Sequence, residues 1–481
     1  MLNLDDCLHP INYILIMLAS SILGIFCIIY YHRERERESN DINLHKSVFI
    51  IILCFGLVAS FITPLWSNFD ESEHFVRAEL TSRGELIPTF DSQMKTYSTI
   101  KSVKDLVDDQ QMKTIFNTDV DTSRINYSPS NVGSAFAQNP FYAYLFPGFG
   151  VFLAKILNLN TIWMLWLGRI FNLILYAFLS AYAVRKSPIL KMPLIAVACL
   201  PLSIYLGASQ SIDSLINGLG LVIVAYFFYM FKASDKSIQM KEILFFFFLC
   251  LLIGLCKVPY FALSFLILLV HIKKFKYKKY YLFCILGIII LGLIAILWSK
   301  GYAIPRYNES YRGDLLIKNG VDLNAQLLFI RDHVNDFIII ILQIGNYLPG
   351  LFNGLFFCNI SHFWGSKLIN VTYPIFLVSI FFLYPMKTFI KLKSRTGGFL
   401  VIGILFIGTY IIQLLTWTPV GQLYHIEGVQ NRYFIPLIGL LPFVFGINNQ
   451  NNSNEKIDSI IMTIVIGFIA TWNIMTVICC Y

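Results

Sequence analysis

Residues 243–271 read Ile243-Leu-Phe-Phe-Phe-Phe-Leu-Cys-Leu-Leu-Ile-Gly-Leu-Cys256-Lys257-Val-Pro259-Tyr260-Phe-Ala-Leu-Ser-Phe-Leu-Ile-Leu-Leu-Val-His271, and Ile-Lys273-Lys274-Phe-Lys276-Tyr-Lys278-Lys279 follows directly. Crossing a bilayer takes about 20 apolar residues, so this run is long for one crossing and short for two. The lysines decide. Short loops rich in Lys and Arg stay on the cytoplasmic side, and the loop before the run is basic as well (Lys232, Lys236, Lys241). Basic loops on both flanks require an even number of crossings between them. The run is therefore predicted to be two short crossings broken at Lys257-Val-Pro259. Each half reaches only about 21 Å at 1.5 Å per residue, which suits a protein-lined or thinned part of the membrane.

The same parity argument organises the rest of the chain. Further basic loops lie at 31–46 (Arg33, Arg35, Arg37, Lys46), 185–191 (Arg185, Lys186, Lys191) and 387–395 (Lys387, Lys391, Lys393, Arg395). Long apolar runs occupy 11–31, 47–66, 161–184, 190–208, 212–231, 281–299, 398–416 and 457–478, with shorter ones at 371–386 and 432–447. Run 141–157 is surplus to parity and is predicted to be interfacial or re-entrant. So is 337–357, which Gly345, Asn346, Pro349 and Gly350 interrupt. The predicted fold is an all-α polytopic integral membrane protein of about twelve transmembrane helices, with both termini outside. Four segments follow: an N-terminal span with its basic loop (1–46), a membrane core with a first external loop at 67–160 (47–299), a second external segment (300–370) and C-terminal helices (371–481).

Composition agrees. Only 14% of the 481 residues are charged and mean hydropathy is +0.66, whereas a soluble chain carries about a quarter charged residues. A soluble enzyme, a disordered chain and a nucleic-acid binder are excluded. The net charge of +9 sits mainly in the short basic loops and reports orientation. The ten cysteines fall mostly in apolar runs, where they pack as small hydrophobes, and no spacing suggests a disulfide framework or a zinc site. No cleavable signal peptide is evident. With no GxxxxGK[ST] and no GxGxxG after a strand, ATP-driven pumping by this chain is not expected.

The polar residues that carry chemistry gather at the external ends of the helices. After the second span comes Pro64-Leu-Trp-Ser-Asn-Phe-Asp70-Glu71-Ser-Glu73-His74-Phe-Val-Arg77. On a helix Asp70, His74 and Arg77 share one face. There a carboxylate (Asp70 or Glu71) can take a proton from a hydroxyl and a cation can hold a phosphate. Alternatively Asp70 caps the helix with Glu73 at the third position, and Glu73 pairs with Arg77. Asp213 follows Ser209-Gln-Ser211-Ile at another external helix boundary, where capping is the structural alternative. Asn217, one turn deeper in an apolar span, needs a partner in protein or water. Lys257 is a lone charge beside Pro259 and Tyr260, either functional or snorkelling to the interface. Near the last external turn, Gln430, Arg432 and Tyr433 offer a phosphate or sugar clamp with an aromatic beside it, and Tyr433 equally suits an aromatic belt.

These motifs carry a resemblance. Asp70-Glu-Ser-Glu-His74-Phe-Val-Arg77-Ala, Asn139-Pro140-Phe-Tyr142, Arg169 with Asn172, Ser209-Gln-Ser-Ile-Asp213, Lys257-Val-Pro-Tyr260 and Gly428-Val-Gln-Asn-Arg432-Tyr-Phe-Ile-Pro436 occur in order across 47–447. The chain thereby resembles a bacterial family of polytopic membrane proteins, the domain of unknown function numbered 2142. Asn431 departs from that pattern, which has Gly there, and the span at 11–31 looks like an extra element. The family in turn looks like the GT-C class of membrane glycosyltransferases, with interfacial helices in its external loops. That resemblance implies a GT-C-type inverting glycosyltransferase. It would take a sugar from a polyprenyl-phosphate donor and pass it to a cell-envelope glycan or glycolipid acceptor. The implied base is Asp70 or Glu71, and Arg432, Lys257 and Arg77 are the cations facing the lipid phosphate. His74 positions the acceptor or the phosphate. Asp213, Asn217, Tyr260, Gln430 and Tyr433 complete the expected binding residues. No cofactor is required, and a divalent cation is optional. The expected location is the cell membrane, with the active site on the extracytoplasmic side. A transporter or flippase of lipid-linked oligosaccharide is the main alternative, and a polysaccharide polymerase or ligase another. A transporter would place ionisable residues near mid-membrane and show internal repeats; no repeat is evident here.

Overall fold

The computed structural model describes residues 10–37, 43–109, 123–348, 367–386, 388–422, 424–448 and 455–480. In the first part of the chain are α1 (Pro10–Arg37), α2 (Leu44–Ile62) and α3 (Glu71–Ser82). A small three-stranded antiparallel sheet follows, of β1 (Phe90–Asp91), β2 (Thr96–Ile100) and β3 (Pro129–Val132), with α4 (Lys101–Asp108) between the last two. Next come α5 (Leu145–Ile156), α6 (Ile162–Lys186), the short pair α7 (Lys191–Ala198) and α8 (Pro201–Gly207), α9 (Asp213–Lys232) and α10 (Met240–Cys256). A 3-10 helix occupies Val258–Leu269. Then α11 (Lys279–Trp298) runs through a π turn (Ser299–Ala303) into α12 (Ile304–Glu309), followed by α13 (Tyr311–Lys318), α14 (Leu323–Asp332) and α15 (Val334–Gln343). The chain closes with α16 (Lys367–Leu383), α17 (Leu392–Thr416), the short α18 (Ile435–Ile438) and α19 (Leu441–Phe445), and α20 (Glu455–Cys480).

This is an all-α, multi-pass membrane protein. Among the described residues seven helices are long and apolar enough to cross a membrane, and shorter apolar helices occupy Phe141–Ile156, Val258–Leu269, Val334–Tyr347 and Val371–Leu383. The five remaining crossings expected from sequence fall on shorter pieces: α7 with α8, α10, the 3-10 helix, α16, and α18 with α19. The broken stretch at 243–271 is observed. Lys257 ends α10 in an extended conformation, φ −155° and ψ 110°, and Pro259 sits at the start of the 3-10 helix, where its missing N–H removes no helical bond. At about 2.0 Å per residue a 3-10 helix gains length, so twelve residues reach roughly 24 Å.

Helix α6 is the post of the bundle, with α2, α5 and α9 packed on it. The contact is close because glycine sits where they meet. A side chain on Gly150 would strike the backbone of Leu167, and one on Gly168 would strike the Gln210 amide. Helices α1 and α20 pack on each other at the edge. The surplus run 141–157 forms α5 and the turn before it. Its Leu145, Phe149, Phe152 and Ile156 are exposed, as an apolar face lying in lipid requires. Of the second expected re-entrant run, 337–348 is α15 and a 3-10 turn, and 349–357 lies outside the described residues. The small sheet lies in the stretch predicted to be the first external loop, and the chain as a whole is all-α as expected.

Two of the basic loops meet at one end of the bundle. Residues 236–238 bond to 273–276, with Lys236 N–H donating to the Lys273 carbonyl at 2.9 Å. Arg395 donates to the Val444 carbonyl at 3.1 Å and to Asn448 Oδ1 at 2.9 Å.

Candidate functional site

At the opposite ends of these helices the chain brings five charges into one row. Asp70 occupies the cap position of α3 in the left-handed region, φ 57° and ψ 19°, and its side chain makes no capping bond. The carboxylate turns instead to two arginines from distant segments. Arg312 Nη2 donates to Oδ1 at 2.9 Å, and Arg432 Nη2 donates to Oδ2 at 3.0 Å. Arg432 Nε lies 2.8 Å from Asp213 Oδ2, and Lys257 Nζ lies 3.8 Å from Asp213 Oδ1. The order is Arg312, Asp70, Arg432, Asp213, Lys257, alternating in sign throughout.

Local structure explains each placement. Asp213 opens α9, where the helix N-terminus favours a carboxylate, and Ser211 Oγ accepts the Asp213 N–H at 3.2 Å. The break at Lys257 turns its ammonium over the Tyr433 ring, 3.2 Å from the centroid. Arg432 lies over Phe69 at 4.5 Å. Arg312 arrives on α13, which Lys95–Asp314 and the Tyr311 hydroxyl on Glu73 tie to the segment that follows α2. The middle of the row is sealed and its ends are open: side-chain exposure is 5% at Arg432 and 4% at Asp213, against 19% at Asp70, 22% at Arg312 and 26% at Lys257.

Burial alone would raise the Asp70 carboxyl, but the guanidiniums of Arg432 and Arg312 outweigh it and hold the group below the usual range. His74, one turn along α3, is pushed down to about 4 by burial and is neutral at pH 7. Its Nδ1 is 2.7 Å from the Tyr144 hydroxyl, which accepts the Asn139 amide at 2.9 Å. The tyrosine proton therefore goes to Nδ1 and the histidine proton to Nε2. The ring stacks on Phe136 at 5.0 Å.

Several expected residues do other work. Glu71 does not join Asp70: it is buried against Arg169, with bonds of 2.8 and 2.6 Å, and accepts the Gln210 N–H at 3.1 Å. Arg169 also holds the Ser60, Thr63 and Pro64 carbonyls, so the pair fastens α2 and α3 to α6. Arg77 is fully buried and donates to Thr81 Oγ1 and to the carbonyls of Asn139, Glu85 and Leu86. Four of its five N–H groups are spent within the protein, which corrects the expectation of a phosphate cation. The capping box with Glu73 is not formed; Glu73 accepts the Ala135 N–H at 2.6 Å and lies 3.3 Å from Arg312. Tyr260 donates to the Tyr433 carbonyl at 2.7 Å, so these two brace the row from outside.

Other polar atoms near the row have no bond within the described structure. Among them are both amide atoms of Asn217, which is 1% exposed, Gln430 Oε1 and Arg432 Nη1. Sequence reasoning missed Arg312, Tyr311 and Tyr144. Each lies in a stretch whose partner is far away in sequence, Arg312 being separated from Asp70 by 242 positions. Among the described residues no group of three or more His, Cys, Asp or Glu is placed to hold a metal ion.

A row of cations and carboxylates with open ends and spare donors suits an anionic ligand that also presents hydroxyls. A family model described as a predicted membrane protein, DUF2142, matches residues 53–441, a stretch that includes all five charges. No curated protein and no solved structure matches the chain. The chain belongs to the DUF2142 family.

Proposed function

We propose that this member of the DUF2142 family is an inverting glycosyltransferase. Its donor is a polyprenyl-phosphate sugar, and its acceptor is a cell-envelope polysaccharide or glycolipid on the extracytoplasmic face. The observation that supports it most is the row itself: a solvent-reachable carboxylate, Asp70, beside a sealed cation, Arg432, at the end of the bundle away from the basic loops.

Asp70 takes the proton of the acceptor hydroxyl, and that oxygen forms a bond to the anomeric carbon. The bond from this carbon to the phosphate oxygen breaks, and its electron pair leaves with the polyprenyl phosphate. Arg432 and Lys257 neutralise the developing charge. Asp70 then releases its proton to water. One displacement without a covalent intermediate inverts the anomeric centre. Asn217 and Gln430 supply hydrogen bonds to sugar hydroxyls, and the neutral His74 offers its Nε2–H. Glu71 and Arg77 hold the frame. No step is assigned to a metal ion, since charge stabilisation comes from side-chain cations.

A transporter of lipid-linked oligosaccharide fits less well. The ionisable groups gather where helices end, at the N-terminus of α9 and the C-terminus of α10, rather than at mid-depth as carriers place them. A polymerase or ligase would use the same displacement with a different acceptor.

The test is transfer of labelled sugar from polyprenyl-phosphate donor by membranes carrying Asp70→Asn or Glu71→Gln. Asp70→Asn is expected to lose transfer by about 100-fold or more with an unchanged thermal midpoint. Glu71→Gln leaves Arg169 buried without its counter-charge and is expected to cost about 3–5 kcal/mol of stability. Wild-type transfer by Asp70→Asn would sink the assignment of the base. Normal transfer with lipid-linked intermediates accumulating inside would favour transport.

A further inference from the structure

We propose that Arg312 masks Asp70 and that an anionic phosphodiester removes the mask: the ligand's phosphate takes the Arg312 and Arg432 guanidiniums from the carboxylate, which is then free to accept a proton. This rests on the reading of Asp70 as the base and adds to it a dependence of that base on the donor.

Three observations carry it. Both oxygens of Asp70 are occupied, Oδ1 by Arg312 and Oδ2 by Arg432, and a carboxylate held by two guanidiniums is a weak base. Arg432 keeps a donor in hand, because Nη1 is buried with no partner. Arg312 has a second anion to rest on, Glu73 Oε1 at 3.3 Å, and it enters from a segment separate from the rest of the row. Letting go of Asp70 therefore strands neither arginine.

Charge count gives the direction of the coupling. The groups facing Asp70 are Arg312, Arg432 and His74, with Glu73 and Asp213 one contact further on and Lys257 beyond Asp213. With His74 neutral, three cations balance three carboxylates. An incoming monoanion tips the site negative, and proton uptake by Asp70 restores the balance. Linkage makes this reciprocal: the phosphodiester binds more tightly as the carboxyl is protonated.

The experiment follows the protonated-carboxyl infrared band of the full-length protein in lipid as pH is varied, using Asp70→Asn to identify the Asp70 contribution. The probe is a polyprenyl methyl phosphate, a diester that stays monoanionic throughout the titration, and dimethyl phosphate is run beside it. Addition of the polyprenyl diester is expected to raise the midpoint pH of the Asp70 band by about one or more, a tenfold gain in proton affinity. Arg312→Gln is expected to show a raised midpoint without any diester and a smaller further rise with it. Arg312→Lys is expected to restore part of the mask. An equal effect of dimethyl phosphate supports the exchange and assigns recognition to the phosphate alone; a weaker effect supports it and adds the lipid chain to what is recognised. The proposal is overturned if the polyprenyl diester binds, by native mass spectrometry, while the midpoint stays put, or if Arg312→Gln titrates as wild type does. Absence of binding overturns it together with the donor assignment. A shifted midpoint without sugar transfer would leave the exchange standing and remove the transferase.

Discussion

Two adjacent carboxylates, Asp70 and Glu71, have opposite surroundings. One is reached by solvent and held by arginines from the far end of the chain; the other is sealed against Arg169. Their shared motif was legible in the sequence, but their division of labour was not. Consecutive residues on a helix point about 100° apart, and spacing carries no sign of which direction faces a partner 98 positions away. His74 makes the same point, since its charge depends on burial that the sequence does not display. The fold favours the neutral ring, so the unfolded chain binds the extra proton between its ordinary value of 6.5 and about 4. The contribution to stability is complete above pH 6.5 and is lost as pH falls toward 4, about 3 kcal/mol in all. Thermal unfolding in detergent at pH 7.5 and 5 is expected to show a drop for wild type and a smaller drop for His74→Gln. Equal drops would contradict a buried neutral histidine.

At the scale of elements, hydropathy located the seven helices that are long and apolar enough to cross a membrane, and the chain breaks at Lys257 as parity required. The kind of helix that follows was not legible, because apolar runs of α and 3-10 type look alike in composition. The sheet was missed for a related reason: β2 is Thr96-Tyr-Ser-Thr-Ile100, whose alternating burial is a weak signal beside the membrane runs. The site depends most on the 31-residue helical stretch Lys279–Glu309, which at 1.5 Å per residue measures roughly 46 Å and outreaches the hydrocarbon. Its π turn (Ser299–Ala303) holds the extra residue of a π bulge, and we expect that residue to help set the rotation with which α13 presents Arg312. Deleting Gly301, which has open space around it, is expected to turn the following segment by about 100° without disturbing the bundle. The thermal midpoint should hold while the Asp70 carboxyl titrates at higher pH in the absence of ligand. An unchanged titration would mean that the π turn does not aim Arg312.

For the whole molecule, the separation of basic loops from the charged row was the most legible feature, since it follows from counting charges between apolar runs. It leads to a labelling prediction. Ser92 and Ser237 are exposed at opposite ends. On intact cells a membrane-impermeant maleimide is expected to react with Ser92→Cys and to reach Ser237→Cys only after permeabilisation; the reverse pattern would invert the orientation. The row also sets a timetable for synthesis. Its carboxylates, Asp70 and Asp213, emerge early, and its cations, Lys257, Arg312 and Arg432, emerge afterwards. Asp213 must wait for roughly 220 further residues before Arg432 exists, on the order of 10–40 s at ordinary ribosomal speed. Until then its carboxylate has only Lys257, 3.8 Å away in the finished protein, as a partner of opposite charge. A chain truncated before Arg432 would leave Asp213 without its closest cation, and the site itself would mark such a chain as unfinished.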